Sequence, residues 1–134
     1  MAARILEGKV FAQQFKEDAG RRAVVLRDTY GVVPGLAVII VGSNPASQVY
    51  VRNKHKSCEE LGIYSEVIEL PEDTAKEALI ARIDELNGNK RIHGILVQLP
   101  LPRQIATYEA EILNRIDPAK DVDGFHPVNV GRLV

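Results

Sequence analysis

The chain has 134 residues, about one domain, with 46% hydrophobic and 26% charged residues, the balance of an ordinary globular protein. A net charge of −1 gives no electrostatic case for a nucleic-acid or anionic-membrane partner, and no apolar run approaches the roughly 20 residues that span a bilayer. The opening Met1–Lys9 lacks the apolar core of a secretory signal and the single cysteine, Cys58, rules out an internal disulfide, which together fit a cytoplasmic protein.

From Gly8 to Tyr30 the chain reads as a helix whose apolar stripe is Val10, Phe11, Ala12, Phe15, Ala19, Ala23 and Leu26. Gly31 and Pro34-Gly35 end it. Leu36-Ala37-Val38-Ile39-Ile40-Val41 is the continuous run of a strand buried on both faces. Gly42-Ser43-Asn44-Pro45 then opens a second helix. Ser43 or Asn44 can cap it, Pro45 suits its first position, and Gly62 closes it. The same turn could hold an anion, although a plain cap explains it as well. Ile63 to Leu70 reads as a second strand, with Glu66 and Glu69 marking a partly wet face. Pro71-Glu72-Asp73-Thr74 opens a third helix ending near Asn87-Gly88-Asn89. Asp73 or Thr74 can cap it, with Glu77 as capping-box partner of Thr74. Ile92 to Val97 is a third buried strand, stopping at Gln98-Leu99-Pro100-Leu101-Pro102; Tyr108 to Arg115 is a fourth helix, and the tail from Asp117 is loop-like.

This alternation predicts an α/β fold: a mostly parallel sheet flanked by helices in three layers, a βαβαβ core preceded by an N-terminal helix. Ligands of such sheets gather outside the carboxyl ends of the strands. Gly42-Ser43-Asn44 and Gln98 therefore share one edge, and the helix carrying Tyr50 and Lys54 starts there.

At about 100° per residue Lys54 falls among Ser47, Tyr50, Cys58 and Leu61, on the arc opposite Gln48, Arg52, His55, Lys56 and Glu59. A charged amine turned toward a core is costly unless it is paired, partly solvated or neutralised, so Lys54 is a candidate for chemistry. Tyr50, four residues earlier, meets it on one helix face. The plainer reading is a core tyrosine with a lysine snorkelling along it to water. A Tyr-x-x-x-Lys pair also occurs in short-chain dehydrogenases, but no Gly-x-Gly-x-x-Gly or Walker-type loop follows the first strand here. Gln98 either ends a strand or supplies a carboxamide that orients Lys54 or a substrate amide. Asp121-Val122-Asp123-Gly124 fails as a calcium loop, because Ala119 and Val130 would fall where carboxylates are needed, and reads as a hydrogen-bonded turn. His55, His93 and His126 have no metal spacing with Cys58 and read as surface or structural residues, so no metal is expected. Cys58 itself reads as a small buried hydrophobe.

Five segments together resemble the methylenetetrahydrofolate dehydrogenase/methenyltetrahydrofolate cyclohydrolase family. They are Pro34–Gly42, Ala46–Lys54, Gly94–Pro102, Lys120–Phe125 and Asn129–Leu133, in family order and spacing over nearly the whole chain. The resemblance implies that Lys54 is the catalytic lysine, Tyr50 packs on the folate rings, and Gln98 bonds the lysine. Asp123 would fix the pterin, with Val97 and Leu99 flanking the pocket. It implies oxidation of 5,10-methylenetetrahydrofolate with NADP, then hydrolysis of the methenyl product to 10-formyltetrahydrofolate. For the hydrolytic step Lys54 would act as base or proton relay.

On this resemblance residues 1–134 are the catalytic, folate-binding domain. NADP would sit in a C-terminal NAD(P)-binding domain absent from this chain, so no residue here is assigned to the cofactor. The full-length protein would be a homodimer paired largely through that second domain. Two other readings stand beside it: a module that binds folate without turnover, and a flavodoxin-like nucleotide-binding domain resting on fold class alone.

Overall fold

The computed structural model describes residues 7–134; Met1–Leu6, part of the stretch read for a secretory signal, lies outside the described residues. Strands β1 (Gly35–Val41), β2 (Tyr64–Leu70) and β3 (Gly94–Val97) form one parallel sheet in the order β2-β1-β3. Helices α1 (Gly8–Tyr30), α2 (Pro45–Glu60) and α3 (Lys76–Gly88) alternate with the strands. The short α4 (Arg103–Ala106), α5 (Glu109–Asn114) and α6 (Pro127–Gly131) follow. The α/β architecture and parallel crossovers expected from the sequence are those observed.

β1 is central, and its apolar run follows from that place. Ala37, Val38 and Ile39 are fully buried, and Val38 stands opposite Val67 of β2 and Leu96 of β3. Alternate side chains enter two cores. Ala37, Ile39 and Val41 join Ile68, Leu79, Ile83, Ile95, Val97 and Ile112 on the face covered by α3 and α5. Val38 and Ile40 join Val51 and Leu96 under α2. Each fully buried aliphatic side chain contributes about 1.5–3 kcal/mol over an exposed one. β2 is an edge strand, but Glu66 and Glu69 do not share the one partly wet face expected of them. Three residues apart, they stand opposite Ala37 and Ile40 and so on opposite faces of the sheet.

The structure departs from expectation in α1. Of its predicted stripe only Ala23 is buried, while Val10, Phe11 and Phe15 are 49%, 45% and 76% exposed. The helix docks through small residues, Ala23 and Gly20, where a side chain on Gly20 would press against Leu61. That contact lies to one side of the large apolar residues. Periodicity announced a distinct face without saying what covers it.

The expected capping box of α3 is also absent. The helix starts at Lys76 after Ala75 with no side-chain cap, and the Thr74 hydroxyl donates to the Pro71 carbonyl at 2.7 Å instead. β3 proper begins at Gly94 rather than Ile92, although the His93 amide still donates to Gly35 O at 2.8 Å. The fourth helix is shorter than expected, and α4 and α6 were not anticipated. The tail is more than loop, since Asp121 forms a parallel bridge with Ile95 beside β3.

Candidate functional site

α2 starts at the carboxyl end of β1. Of the two candidate caps it is Asn44 that acts, its side chain accepting from the Ser47 amide at 3.1 Å, with Pro45 in the first turn. The approach turns on Gly42 at φ 82°, a left-handed conformation that suits glycine. Gly62 at φ 70° lies just past the other end of α2, as a C-terminal glycine should.

On this helix the Lys54 ammonium donates to the Gln98 carboxamide oxygen at 3.1 Å. Gln98 follows directly on β3. Its backbone amide donates to Ile39 O at 2.8 Å, and its side-chain nitrogen donates to Leu99 O at 2.9 Å. The same carbonyl accepts from the Ser47 hydroxyl at 3.3 Å. Lys54 is half-buried, with its nitrogen 5.6 Å from the centre of the Tyr50 ring, close enough for a cation–π attraction. Tyr50 is 60% exposed, so it is no core tyrosine. Its ring forms an open wall beside the amine.

The Asp121–Gly124 turn brings the second half of the site. The Asp121 carboxylate accepts from the Gly124 and His126 amides and from the Asn129 side chain, at 3.0, 2.9 and 3.0 Å. Burial works to raise this carboxyl, but hydrogen bonds from Asn129, His126, Phe125 and Gly124 outweigh it and hold it below the ordinary carboxylate range. Lys120 anchors the turn from behind, donating to the last carbonyls of α3 at Leu86, Asn87 and Asn89.

Asp123 is left without a hydrogen-bond partner among the described residues. Burial of its carboxyl pushes it above the ordinary range, although the residue as a whole stays exposed. The nearby Lys54 ammonium pulls the other way, and Asp121 adds to the rise. The acceptor oxygens of Asp123 are free, among the described residues, for donors of a ligand within electrostatic reach of the Lys54 amine.

Val97 is 1% exposed and its side chain belongs to the core, leaving its backbone for any ligand. Leu99 is half-buried and presents the doubly bonded carbonyl. Lys54, Tyr50, Gln98 and Leu99 thus meet at one edge, with Asp123 within electrostatic reach. Sequence reasoning placed Ser47 on the inner arc but gave it no role. Its spacing of seven from Lys54 was the available signal.

Each histidine makes a hydrogen-bond contact. His55 lies 2.9 Å from the Ser65 hydroxyl, His93 accepts from the Gly35 amide, and His126 accepts from the Val128 amide. Cys58 is buried, which pushes its thiol up. A cavity of about 470 Å³ between α2 and β2 is lined by Gln48, Arg52, His55 and Glu69, on the flank of α2 away from Lys54.

Residues 6–123 match the family model described as the tetrahydrofolate dehydrogenase/cyclohydrolase catalytic domain. The chain is 52% identical over all 134 residues to the bifunctional protein FolD of Halalkalibacterium halodurans, covering 47% of that protein. Among solved structures it is similar to the bifunctional FolD methylenetetrahydrofolate dehydrogenase/cyclohydrolase of Campylobacter jejuni, with a TM-score of 0.93 and 48% identity. That match covers 98% of this chain and 46% of the other. It is also similar to the Trypanosoma brucei enzyme complexed with NADP cofactor and inhibitor, with a TM-score of 0.90, 37% identity, and coverage of 99% and 45%. The chain spans about half the length of the relatives it matches.

Proposed function

We infer the function from one premise: this chain belongs to the tetrahydrofolate dehydrogenase/cyclohydrolase family, of which it carries the catalytic domain. The whole protein oxidises 5,10-methylenetetrahydrofolate with NADP and hydrolyses the methenyl product to 10-formyltetrahydrofolate. This stretch supplies the folate-binding and catalytic side. The observation that carries the reading is the half-buried Lys54 ammonium bonded to Gln98 at the sheet's carboxyl edge, with Tyr50 alongside.

In hydrolysis water adds through its oxygen to the methenyl carbon and loses a proton. The new hydroxyl then gives up its proton as the bond from that carbon to N5 breaks and N5 takes a proton, leaving the formyl group on N10 with one proton released overall. Lys54 serves as the proton relay at the adding water, and the Gln98 carboxamide holds it there. Tyr50 packs on the folate rings. Asp123, with its unused acceptors, takes the amino and ring N–H groups of the pterin. Val97 and Leu99 flank the pocket, Val97 through its backbone.

NADP, which supplies hydride acceptance when bound, does not fit the residues described. The turn after β1 is where a dinucleotide pyrophosphate would lie in such a sheet, yet there the Glu72 carboxylate crowds Gly42 and the Asn44 side chain is spent as a cap. A carboxylate at that position repels phosphate. The cofactor is assigned to the part of the protein outside residues 1–134.

No described helix is long and apolar enough to cross a membrane. We place the protein in the cytoplasm, with a folate as small-molecule partner, no nucleic-acid or membrane partner, and a homodimer as the full-length state. The reading is tested by calorimetric titration of folic acid into the chain and into Asp123→Ala. Binding by the first and its loss in the second are expected. Absence of binding to the unsubstituted chain ends the reading, and binding without hydrolysis of the methenyl substrate reduces it to a folate-binding module.

A further inference from the structure

Ser47 is 4% exposed and is the one buried polar residue among those described. Burying a hydroxyl is unfavourable unless it bonds, and this one is committed to Leu99 O, the atom that also takes the Gln98 side-chain nitrogen. A carbonyl only accepts and an ammonium only donates, so Gln98 has one workable orientation: nitrogen to Leu99, oxygen to Lys54. Turned over, it would set oxygen against oxygen and amide hydrogens against the ammonium.

Ser47 precedes Lys54 by seven residues, about two helical turns, so both project within roughly 20° of one line along α2. From that line α2 makes two contacts with adjacent residues, Ser47 with Leu99 and Lys54 with Gln98. The Gln98–Leu99 bond closes the ring.

We propose that Ser47 is a positioning residue for Lys54: its hydroxyl holds the Leu99 carbonyl against α2, which fixes the Gln98 carboxamide and through it the amine. The geometry stands on its own, while its consequence for turnover rests on Lys54 acting as proposed above. Only the hydroxyl is at issue. The bond from the Ser47 amide to Asn44 is a backbone bond and survives substitution to alanine.

The test is NMR on the 134-residue chain, reading hydrogen exchange of the Gln98 side-chain amide, with β1 backbone amides reporting on the fold. In Ser47→Ala the Gln98 amide should lose about fivefold in protection, the loss expected for one hydrogen bond, with β1 unchanged. Ser47→Thr should restore it. A Gln98 amide equally protected in Ser47→Ala overturns the proposal, as does a loss that Ser47→Thr leaves in place. Lys54→Met, assayed for hydrolysis of the methenyl substrate, separates the two ideas. Unchanged hydrolysis there, beside a released Gln98 amide in Ser47→Ala, removes the catalytic reading and leaves the positioning role standing.

Discussion

The Lys54 ammonium and the Gln98 carboxamide oxygen are 44 positions apart in sequence and 3.1 Å apart in space. The contact joins the third turn of the first crossover helix, α2, to the residue just past the strand that ends the second crossover, β3. Gln98→Leu should therefore leave a half-buried ammonium without its acceptor. We expect stability to fall by about 1 kcal/mol in urea titrations, with hydrolysis down by one to two orders of magnitude. Gln98→Glu keeps the acceptor for Lys54 but sets a carboxylate oxygen against the Leu99 carbonyl, so it should recover only part of the stability. A leucine variant as stable and active as wild type would contradict the pairing.

Asp121 organises the turn that carries Asp123, so its charge state should matter to the fold. Its native carboxyl is held below the ordinary value, so its contribution is present above the unfolded value, about 3.9, and is lost as pH falls through the lower native value. Asp121→Asn keeps the shape but turns half of the acceptor into a donor facing the His126 amide and Asn129. We expect a loss of about 1–2 kcal/mol at neutral pH, shrinking toward zero below the ordinary carboxylate range. Melting curves at several pH values check both the size and the sign.

Lys120 predicts a purely structural effect. Its ammonium satisfies three carbonyls at the end of α3, at 2.8–3.0 Å, beside the same turn. Lys120→Met should cost about 1–3 kcal/mol, because charged hydrogen bonds are the stronger kind. Folic acid affinity should drop with it as the turn loosens, in calorimetry run where the variant is still folded.

The contrast between α1 and the core gives a fourth expectation. Ile83 is fully buried, and Ile83→Ala should cost about 2–5 kcal/mol in this chain. Phe15 is 76% exposed, and Phe15→Ala should change stability by less than about 0.5 kcal/mol. Urea midpoints decide it. A large loss at Phe15 would mean that the apolar face of α1 is covered in solution.

The same contrast marks what could be read from sequence. The apolar run of β1 and the Asn44-Pro45 start of α2 are local signals, and each stands where the sequence put it. The shared edge of Lys54 and Gln98 followed from parallel topology. The stripe of α1 was legible as a stripe, but its cover is a property of distant chain. The α3 cap failed because Thr74 found the Pro71 carbonyl first, a competition between neighbouring turns that pattern cannot rank. Ser47 escaped because a serine on an inner arc looks like a small filler until its partner, more than fifty residues away, is seen.

The account stands or falls on the amine. In the 134-residue chain, and in a chimera where it replaces the matching half of the Campylobacter jejuni enzyme, Lys54→Met can be followed by the loss of methenyl absorbance. Folic acid binding is measured on the same samples. The account predicts hydrolysis slowed at least about a hundredfold with binding within a few fold of wild type. Hydrolysis by Lys54→Met at the unsubstituted chimera's rate would contradict it.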